Sequence, residues 1–173
     1  MTAGDAPGVG AASGELVYED LYRFHFRGLV QLATLLGADD PENVVQEAFV
    51  RLHKNEGRLR EVTATVAYLR VTVCNLSRSR VRHLLLARRY ESRLLRPGDA
   101  SVEQTAVLHE DHREVLAALD RLPRRPREVL VLRYWSDLSE ADIAATLGIS
   151  AGSVKSYASR GLAAIEMHLG RLS

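Results

Sequence analysis

The 173-residue chain has little that could cross-link it or anchor it in a membrane. Cys74 is its only cysteine, which excludes an internal disulfide, and we expect a buried, inert thiol in a reducing compartment. No apolar run reaches the roughly 20 residues that a membrane-spanning helix needs. The segment from Met1 to Gly14 is rich in alanine and glycine and lacks the basic and apolar parts of a signal peptide. We therefore expect a disordered tail there and a cytoplasmic protein.

Acidic residues are scarce in one part of the chain and basic residues in another, although the net charge of the whole chain is only +1. Residues 77–96 contain seven arginines against one acid, a local net charge of +6, whereas residues 1–56 contain nine acids against four bases, a local net charge of −5. Such a division favours one surface for a polyanion and another for a basic partner.

Signals for β-strands are almost absent, and apolar residues recur at helical spacing throughout. The sequence predicts an all-α fold with two small helical domains joined by a flexible linker, the second containing a helix-turn-helix. We expect the tail over 1–14, the domains over 15–92 and 103–173, and the linker over 93–102. The predicted helices cover residues 16–36, 41–54, 66 to beyond 88, 102–122, 127–135, 140–147 and 151–169, with a polar loop at 57–65.

The C-terminal third has the pattern of a helix-turn-helix. Gly148 permits a left-handed turn after the apolar Ile143 and Leu147, and Val154 then packs the following helix against the preceding one. Ser139 and Ser150 are positioned to cap the two helices. The second helix opens with small and polar residues, which allow its backbone to approach phosphates. An ordinary helical hairpin is the alternative, but it does not predict a glycine turn together with such a helix start. The candidate DNA contacts are Arg127, Ser150, Gly152, Ser153, Lys155, Ser156 and Arg160.

Two blocks of the chain together resemble the small extracytoplasmic-function (ECF) sigma factors of bacterial RNA polymerase. The runs 119–134, 137–144 and 147–156 resemble the family's region four. The run 42–52, with Ala67-Tyr-Leu-Arg and Asn75, resembles region two. The resemblance covers roughly residues 16–168, and the joint occurrence of both blocks at this spacing is highly specific.

The resemblance implies a role for each block. Region two would dock on the clamp helices of the polymerase β′ subunit and open the promoter at the −10 element, and region four would bind the β flap and read the −35 element. An anti-sigma partner is also implied. The implied docking residues are Glu42, Asn43, Gln46, Glu47 and Phe49. The implied −10 contacts are Asn75, Arg78, Arg80 and Arg82, beside a base pocket in the 57–65 loop.

Three residues depart from the family's usual pattern: Asn43 and Ser79 stand where aspartate is common, and Pro126 where glutamine is common. The loss of charge at Asn43 could weaken docking. Tyr134 and Trp135 follow an apolar helix and are expected in the core.

The sequence offers no catalytic constellation, so we predict a non-enzymatic subunit that acts as a monomer within the holoenzyme and needs no cofactor or metal. His109 and His112 lie three apart on a predicted helix, but a zinc site needs further ligands that are missing nearby. The main alternative is a helix-turn-helix regulator that binds operators as a dimer without docking on polymerase. An enzyme with a DNA-binding tail is a more distant one.

Overall fold

The structure, a computed structural model, describes residues 9–55, 61–91 and 113–170. All regular secondary structure in these ranges is helical, which confirms the all-α prediction. The helices are α1 (Val9–Leu35), α2 (Pro41–Lys54), α3 (Val62–Glu91), α4 (Arg113–Asp120), α5 (Arg124–Tyr134), α6 (Glu140–Leu147) and α7 (Ala151–Leu169). Within the described ranges, no helix is long and apolar enough to cross a membrane.

The first three helices pack around a shared apolar core. Gly37, with a φ of 89°, ends α1 in the left-handed region that glycine adopts without strain. The Asp40 carboxylate then accepts the N–H of Asn43 at 3.3 Å and caps α2, while Pro41 occupies its first position, where the missing N–H costs nothing. The fully buried residues of this core include Ala33, Val44, Val45, Ala48, Leu69 and Val73.

The C-terminal helices form a second group in which α7 packs on α4, α5 and α6. Gly161 lies close against α5, because a Cβ built on it would lie 2.7 Å from Leu130 Cδ1. Only a residue without a side chain leaves room for Leu130 there. The fully buried residues of this group are Val129, Leu132, Ile143 and Val154.

Several helix boundaries differ from the predicted ones. Helix α1 begins at Val9 and not near residue 16, so residues 9–14 of the expected tail are helical. Helix α3 begins at Val62, inside the predicted 57–65 loop. Helix α5 begins at Arg124 after Pro123, because the first-turn prolines cost no hydrogen bond and the helix can start ahead of Pro126. The 93–102 linker, residues 57–60 of the predicted loop and the His109–His112 pair lie outside the described residues.

Two expectations about buried side chains have opposite outcomes. The thiol of Cys74 is buried, as predicted, and burial raises its pKa to about 12. The prediction that Tyr134 and Trp135 are core residues is wrong. Their side chains are 65% and 46% exposed, because α5 ends at Tyr134 and the chain turns away from the core. Asp137, with a φ of 49°, lies in that turn.

Candidate nucleic-acid interface

The turn between α6 and α7 has the geometry that the helix-turn-helix pattern predicts. Gly148 adopts φ 64° and ψ 42°, and its N–H donates to the Ala144 carbonyl oxygen at the end of α6. The hydroxyl of Ser139 accepts the N–H of Asp142 at 3.1 Å, and the hydroxyl of Ser150 accepts the N–H of Ser153 at 3.1 Å. These caps fix the start of both helices and therefore the direction in which α7 leaves the turn.

Helix α7 buries one side and presents a polar one. Val154, Ala158 and Gly161 face α5 and α6 and are buried. The exposed residues on the other side are Ser150, Gly152, Lys155, Ser156 and Arg160, and Ser153 is half-buried among them. An exposed helix start with small side chains, free N–H groups and nearby cations suits the phosphate backbone of DNA.

The two cations on this face have weak internal partners. Lys155 Nζ lies 3.7 Å from a carboxylate oxygen of Glu140, and its side chain is 71% exposed. Arg160 donates to the Ser156 hydroxyl at 3.0 Å and lies over the Tyr157 ring, 4.9 Å from its centroid. Such exposed contacts contribute about 1 kcal/mol or less, so both cations can exchange them for phosphate oxygens at little cost.

Arg127 does not lie on this face. Its side chain is only 15% exposed; its Nε donates to the Leu35 carbonyl oxygen at 2.6 Å, and its Nη2 lies 2.7 Å from an Asp120 carboxylate oxygen. In this arrangement the guanidinium makes its bonds within the protein. The structure therefore separates Arg127 from the other six residues predicted to contact the −35 region.

On α3, three of the four predicted −10 residues share a stripe. Asn75, Arg78 and Arg82 lie at positions i, i+3 and i+7, which fall on one side of a helix. Asn75 and Arg82 are exposed, whereas Arg78 is half-buried and donates to Asn75 Oδ1 at 3.4 Å. Arg80 points elsewhere, since its Nη2 lies 3.7 Å from Glu47 Oε2 on α2.

The five residues predicted to dock on polymerase all lie on α2, but they differ in exposure. Glu42, Asn43 and Gln46 are exposed, and Glu47 is half-exposed and paired with Arg51 at 2.7 Å. Phe49 is 1% exposed.

Phe49 fills the core between α1 and α2. Its ring packs against Tyr18 edge-on, with centroids 5.8 Å apart, and against Tyr22 at 4.9 Å. A side chain buried in this way has no surface for a partner, so Phe49 can support the docking face only from beneath.

Sequence reasoning missed two features near these surfaces. The aromatic pair Tyr134 and Trp135 is exposed beside the turn into α6, and Leu85, Leu86 and Tyr90 are exposed along the arginine-rich end of α3. An aromatic residue that follows an apolar helix is predicted to be buried when only its residue type is considered. Only the exposed end of α5 and the unpacked end of α3 reveal these apolar surfaces.

No cluster of histidine, cysteine and carboxylate side chains in the described ranges could hold a metal ion. These surfaces carry exposed cations, hydroxyls and aromatic rings, which are groups that bind nucleic acids and other proteins.

Comparison with known proteins agrees with this architecture. The family described as "Sigma-70, region 4" matches residues 112–165. An RNA polymerase sigma-E factor of Streptomyces avermitilis is 32% identical over 161 residues, which cover 91% of this chain and 88% of the relative. The ECF RNA polymerase sigma factor SigM of Mycobacterium tuberculosis is 30% identical over 164 residues, covering 94% and 82%.

Two solved structures are similar over both groups of helices. The sigma factor RpoE, in complex with the anti-sigma factor NepR from Bartonella quintana, matches with a TM-score of 0.72 and 21% identity, covering 88% of this chain and 96% of that one. CnrH, in complex with the cytosolic domain of CnrY, matches with a TM-score of 0.66 and 26% identity over 95% of both chains. The family match and the relatives, which align with both groups of helices, place the chain in the sigma class of transcription factors. The chain belongs to the ECF sigma factors of bacterial RNA polymerase.

Proposed function

We propose that this sigma factor binds core RNA polymerase with both groups of helices, recruits it to promoters with paired −10 and −35 elements and assists opening of the duplex. It would act as a non-enzymatic subunit, one copy in each holoenzyme, in the bacterial cytoplasm where the polymerase works. The division into region two over 15–92, a linker over 93–102 and region four over 103–173 is part of this proposal. The observation that carries it is the capped helix-turn-helix with its exposed polar face on α7.

Recognition of the −35 element is assigned to the exposed side of α7. The support is the run of small residues at its start, together with Lys155 and Arg160, whose internal contacts are weak and exposed. Hydroxyl groups can serve either a phosphate or a base edge. The proposed contact set is Ser150, Gly152, Ser153, Lys155, Ser156 and Arg160.

Contact with DNA near the −10 element is assigned to α3. Asn75 and Arg82 are exposed on one stripe, and Arg78 lies between them. Tyr90, 67% exposed farther along the helix, supplies an aromatic face on which an unpaired base could stack. Arg80 is less suited, because it already neutralises Glu47.

Docking on the polymerase is assigned to two surfaces. Glu42, Asn43 and Gln46 form an exposed polar edge of α2 that suits the clamp helices of β′. The exposed pair Tyr134 and Trp135 suits the β flap, because exposed aromatic rings are typical anchors of protein interfaces.

An anti-sigma partner is proposed as well. The structural relatives RpoE and CnrH were each solved with a bound protein, NepR and the cytosolic domain of CnrY. A partner that covers the same helices in this protein would compete with polymerase. An operator-binding regulator without polymerase docking is not favoured, because the sigma-factor relatives align with both groups of helices and not with the helix-turn-helix alone.

The test is a titration of the purified full chain against bacterial core RNA polymerase without DNA. Tight one-to-one binding is the expected result, since a sigma factor docks before it reads a promoter. A folded chain that binds DNA fragments but not core polymerase would contradict the proposal and return the operator-binding regulator as the better explanation.

A further inference from the structure

A carboxylate lies beside the surface assigned to −35 DNA. Glu140 is the first residue of α6, and its Oε2 lies 3.7 Å from Lys155 Nζ on α7. Its Oε1 accepts a hydrogen bond from Arg133 Nη1 on α5 at 3.5 Å. One acid of the helix-turn-helix thus contacts a cation from each of two other helices, and one of these cations belongs to the proposed DNA contacts.

Arg133 anchors the carboxylate, whereas Lys155 can leave it. Arg133 and Glu140 are half-buried, and the helix dipole favours a negative side chain in the first turn of α6. The Lys155 side chain is exposed, and its ammonium group ends a flexible four-carbon chain. Because the two cations exceed the one carboxylate by a single positive charge, this surface stays positive while Lys155 is paired.

The carboxylate competes for a group that the phosphates of DNA also attract. An ammonium group binds carboxylate and phosphate oxygens with the same kind of charge-assisted hydrogen bond. Lys155 therefore has to leave Glu140, wholly or in part, when α7 approaches the DNA backbone. Glu140 then faces the phosphates with Arg133 beside it, and the repulsion between like charges opposes binding.

We propose that Glu140 is an internal competitor of DNA for Lys155 and thereby sets how tightly α7 binds a duplex and how steeply that binding depends on salt. Glu140 is a positioning residue, because it acts on DNA through Lys155. The competition weakens binding to every sequence by a similar factor, since phosphates are the same in all of them. This inference rests on the proposed role of Lys155 at the −35 element.

The test compares Glu140→Gln with Asp137→Asn in the full chain. Each substitution removes one negative charge with little change in size, and the two positions are three residues apart. Asp137 is an exposed residue with a φ of 49°, a conformation that asparagine also adopts. The difference between the variants therefore reports the contact with Lys155 and not the net charge.

Fluorescence anisotropy with a short random-sequence DNA duplex gives both expected results. At low salt, Glu140→Gln should bind about threefold more tightly than Asp137→Asn, which is the range of an exposed ion pair. Its slope of log K against log salt concentration should be steeper by up to about 0.9, because Lys155 then neutralises a phosphate without releasing a carboxylate. A gain no larger than that of Asp137→Asn would overturn the inference.

Dependence on Lys155 separates competition from a structural role of Glu140. In a Lys155→Ala background, Glu140→Gln and Asp137→Asn should bind the duplex alike, because the competitor then has no DNA contact to hold back. A gain that persists in full in this background would also overturn the inference. If circular dichroism shows that Glu140→Gln loses helicity, Glu140→Asp takes its place. Aspartate suits the first turn of a helix, and its shorter side chain should give a smaller gain of the same sign.

Lys155→Ala alone tests the proposed function separately. A loss of affinity in this variant, with no gain in Glu140→Gln, would refute the competition and leave the −35 assignment of Lys155 standing. Unchanged affinity in Lys155→Ala would contradict that assignment, and the inference would fall with it. A wild-type chain that binds no duplex even at low salt would contradict both.

Discussion

Gly161 on α7 and Leu130 on α5 share a space that admits only one side chain: a Cβ on the glycine would lie 2.7 Å from Leu130 Cδ1 and 3.1 Å from its Cγ. Leu130 is 3% exposed, so its side chain has little room to move aside. This contact sets the distance between α5 and α7, and through α7 it positions the surface assigned to −35 DNA.

Gly161→Ala should therefore destabilise the protein, and Gly28→Ala should stabilise it. Both glycines lie within helices, where alanine is favoured by about 0.5–1 kcal/mol. Gly28 has no neighbouring atom within 4 Å of a built Cβ and gains this amount, whereas Gly161→Ala must overpack the core at a cost of about 1–3 kcal/mol. Urea unfolding of both variants measures the difference. An equal gain at both positions would show that α5 and α7 separate freely.

Lys155→Ala with Arg160→Ala should lower affinity for a −35 promoter fragment and flatten its dependence on salt. Each lost phosphate contact removes about 0.9 from the slope of log K against log salt concentration, so the double variant should lose nearly two units. Fluorescence anisotropy over a range of salt concentrations gives the slope. Arg23→Ala with Arg27→Ala removes equal charge from exposed positions on α1 and should leave the slope almost unchanged. A parallel loss in both variants would point to net charge and not to contact.

Glu42→Arg with Gln46→Ala should weaken binding to core polymerase about tenfold, equivalent to about 1.4 kcal/mol, and lower the free energy of unfolding only slightly. Both side chains are exposed on α2 and make no hydrogen bond there, and the helix dipole favours the acid in the first turn by no more than about 1 kcal/mol. Glu47 is a poorer target, because reversing its charge would set it against Arg51 and Arg80 within the fold. Asp20→Arg, with a similar change in charge at an exposed position on α1, serves as the control. Holoenzyme assembly at wild-type affinity would exclude the α2 edge as a docking surface.

The Cys74 thiol should be inert in the folded protein at pH 8 and reactive once the chain is unfolded. Its folded pKa of about 12 lies above the 9.0 of a free thiol, so the folded state holds the proton more tightly. The resulting stability is complete below pH 9 and is lost as the pH rises from 9 to 12, by about 1.4 kcal/mol for each pH unit.

A coloured disulfide reagent, added with and without denaturant, measures the reactivity of Cys74. Unfolding titrations of the wild type and Cys74→Ala between pH 9 and 11 measure the linkage, with the wild type losing stability relative to the variant. Rapid labelling of the native protein at pH 8 would contradict the burial of this side chain.

Local signals in the sequence predicted much of the fold. Helix α2 and the turn at Gly148 depend on residues adjacent in the chain, such as Asp40, Pro41 and Ser150. The predicted bounds of α2 and the predicted caps at Ser139 and Ser150 are confirmed. The start of α1 was not predicted, because no serine, threonine, aspartate or asparagine directly precedes Val9.

Contacts between distant residues account for what the sequence could not reveal. Arginine is usually a surface residue, yet Arg78 and Arg127 are half-buried. Arg78 bonds to Glu128 and Arg127 to Leu35, each about 50 or more residues away in the chain. The burial of Phe49 depends in the same way on rings contributed by α1. The spacing of residues along a single helix does not identify such partners. These long-range contacts nevertheless decide which of the predicted site residues are exposed.

The cap of α7 has a consequence for how strictly a promoter can be read. The hydroxyls of Ser150 and Ser153 lie 2.9 Å apart, and the former also holds the N–H of Ser153. A hydroxyl that moves from one such bond to a base edge exchanges one neutral hydrogen bond for another, with little net gain. In the proposed −35 contact we therefore expect this end of the helix to tolerate base changes. Strict discrimination between bases would then come from side chains that enter the groove without first breaking a hydrogen bond within the protein.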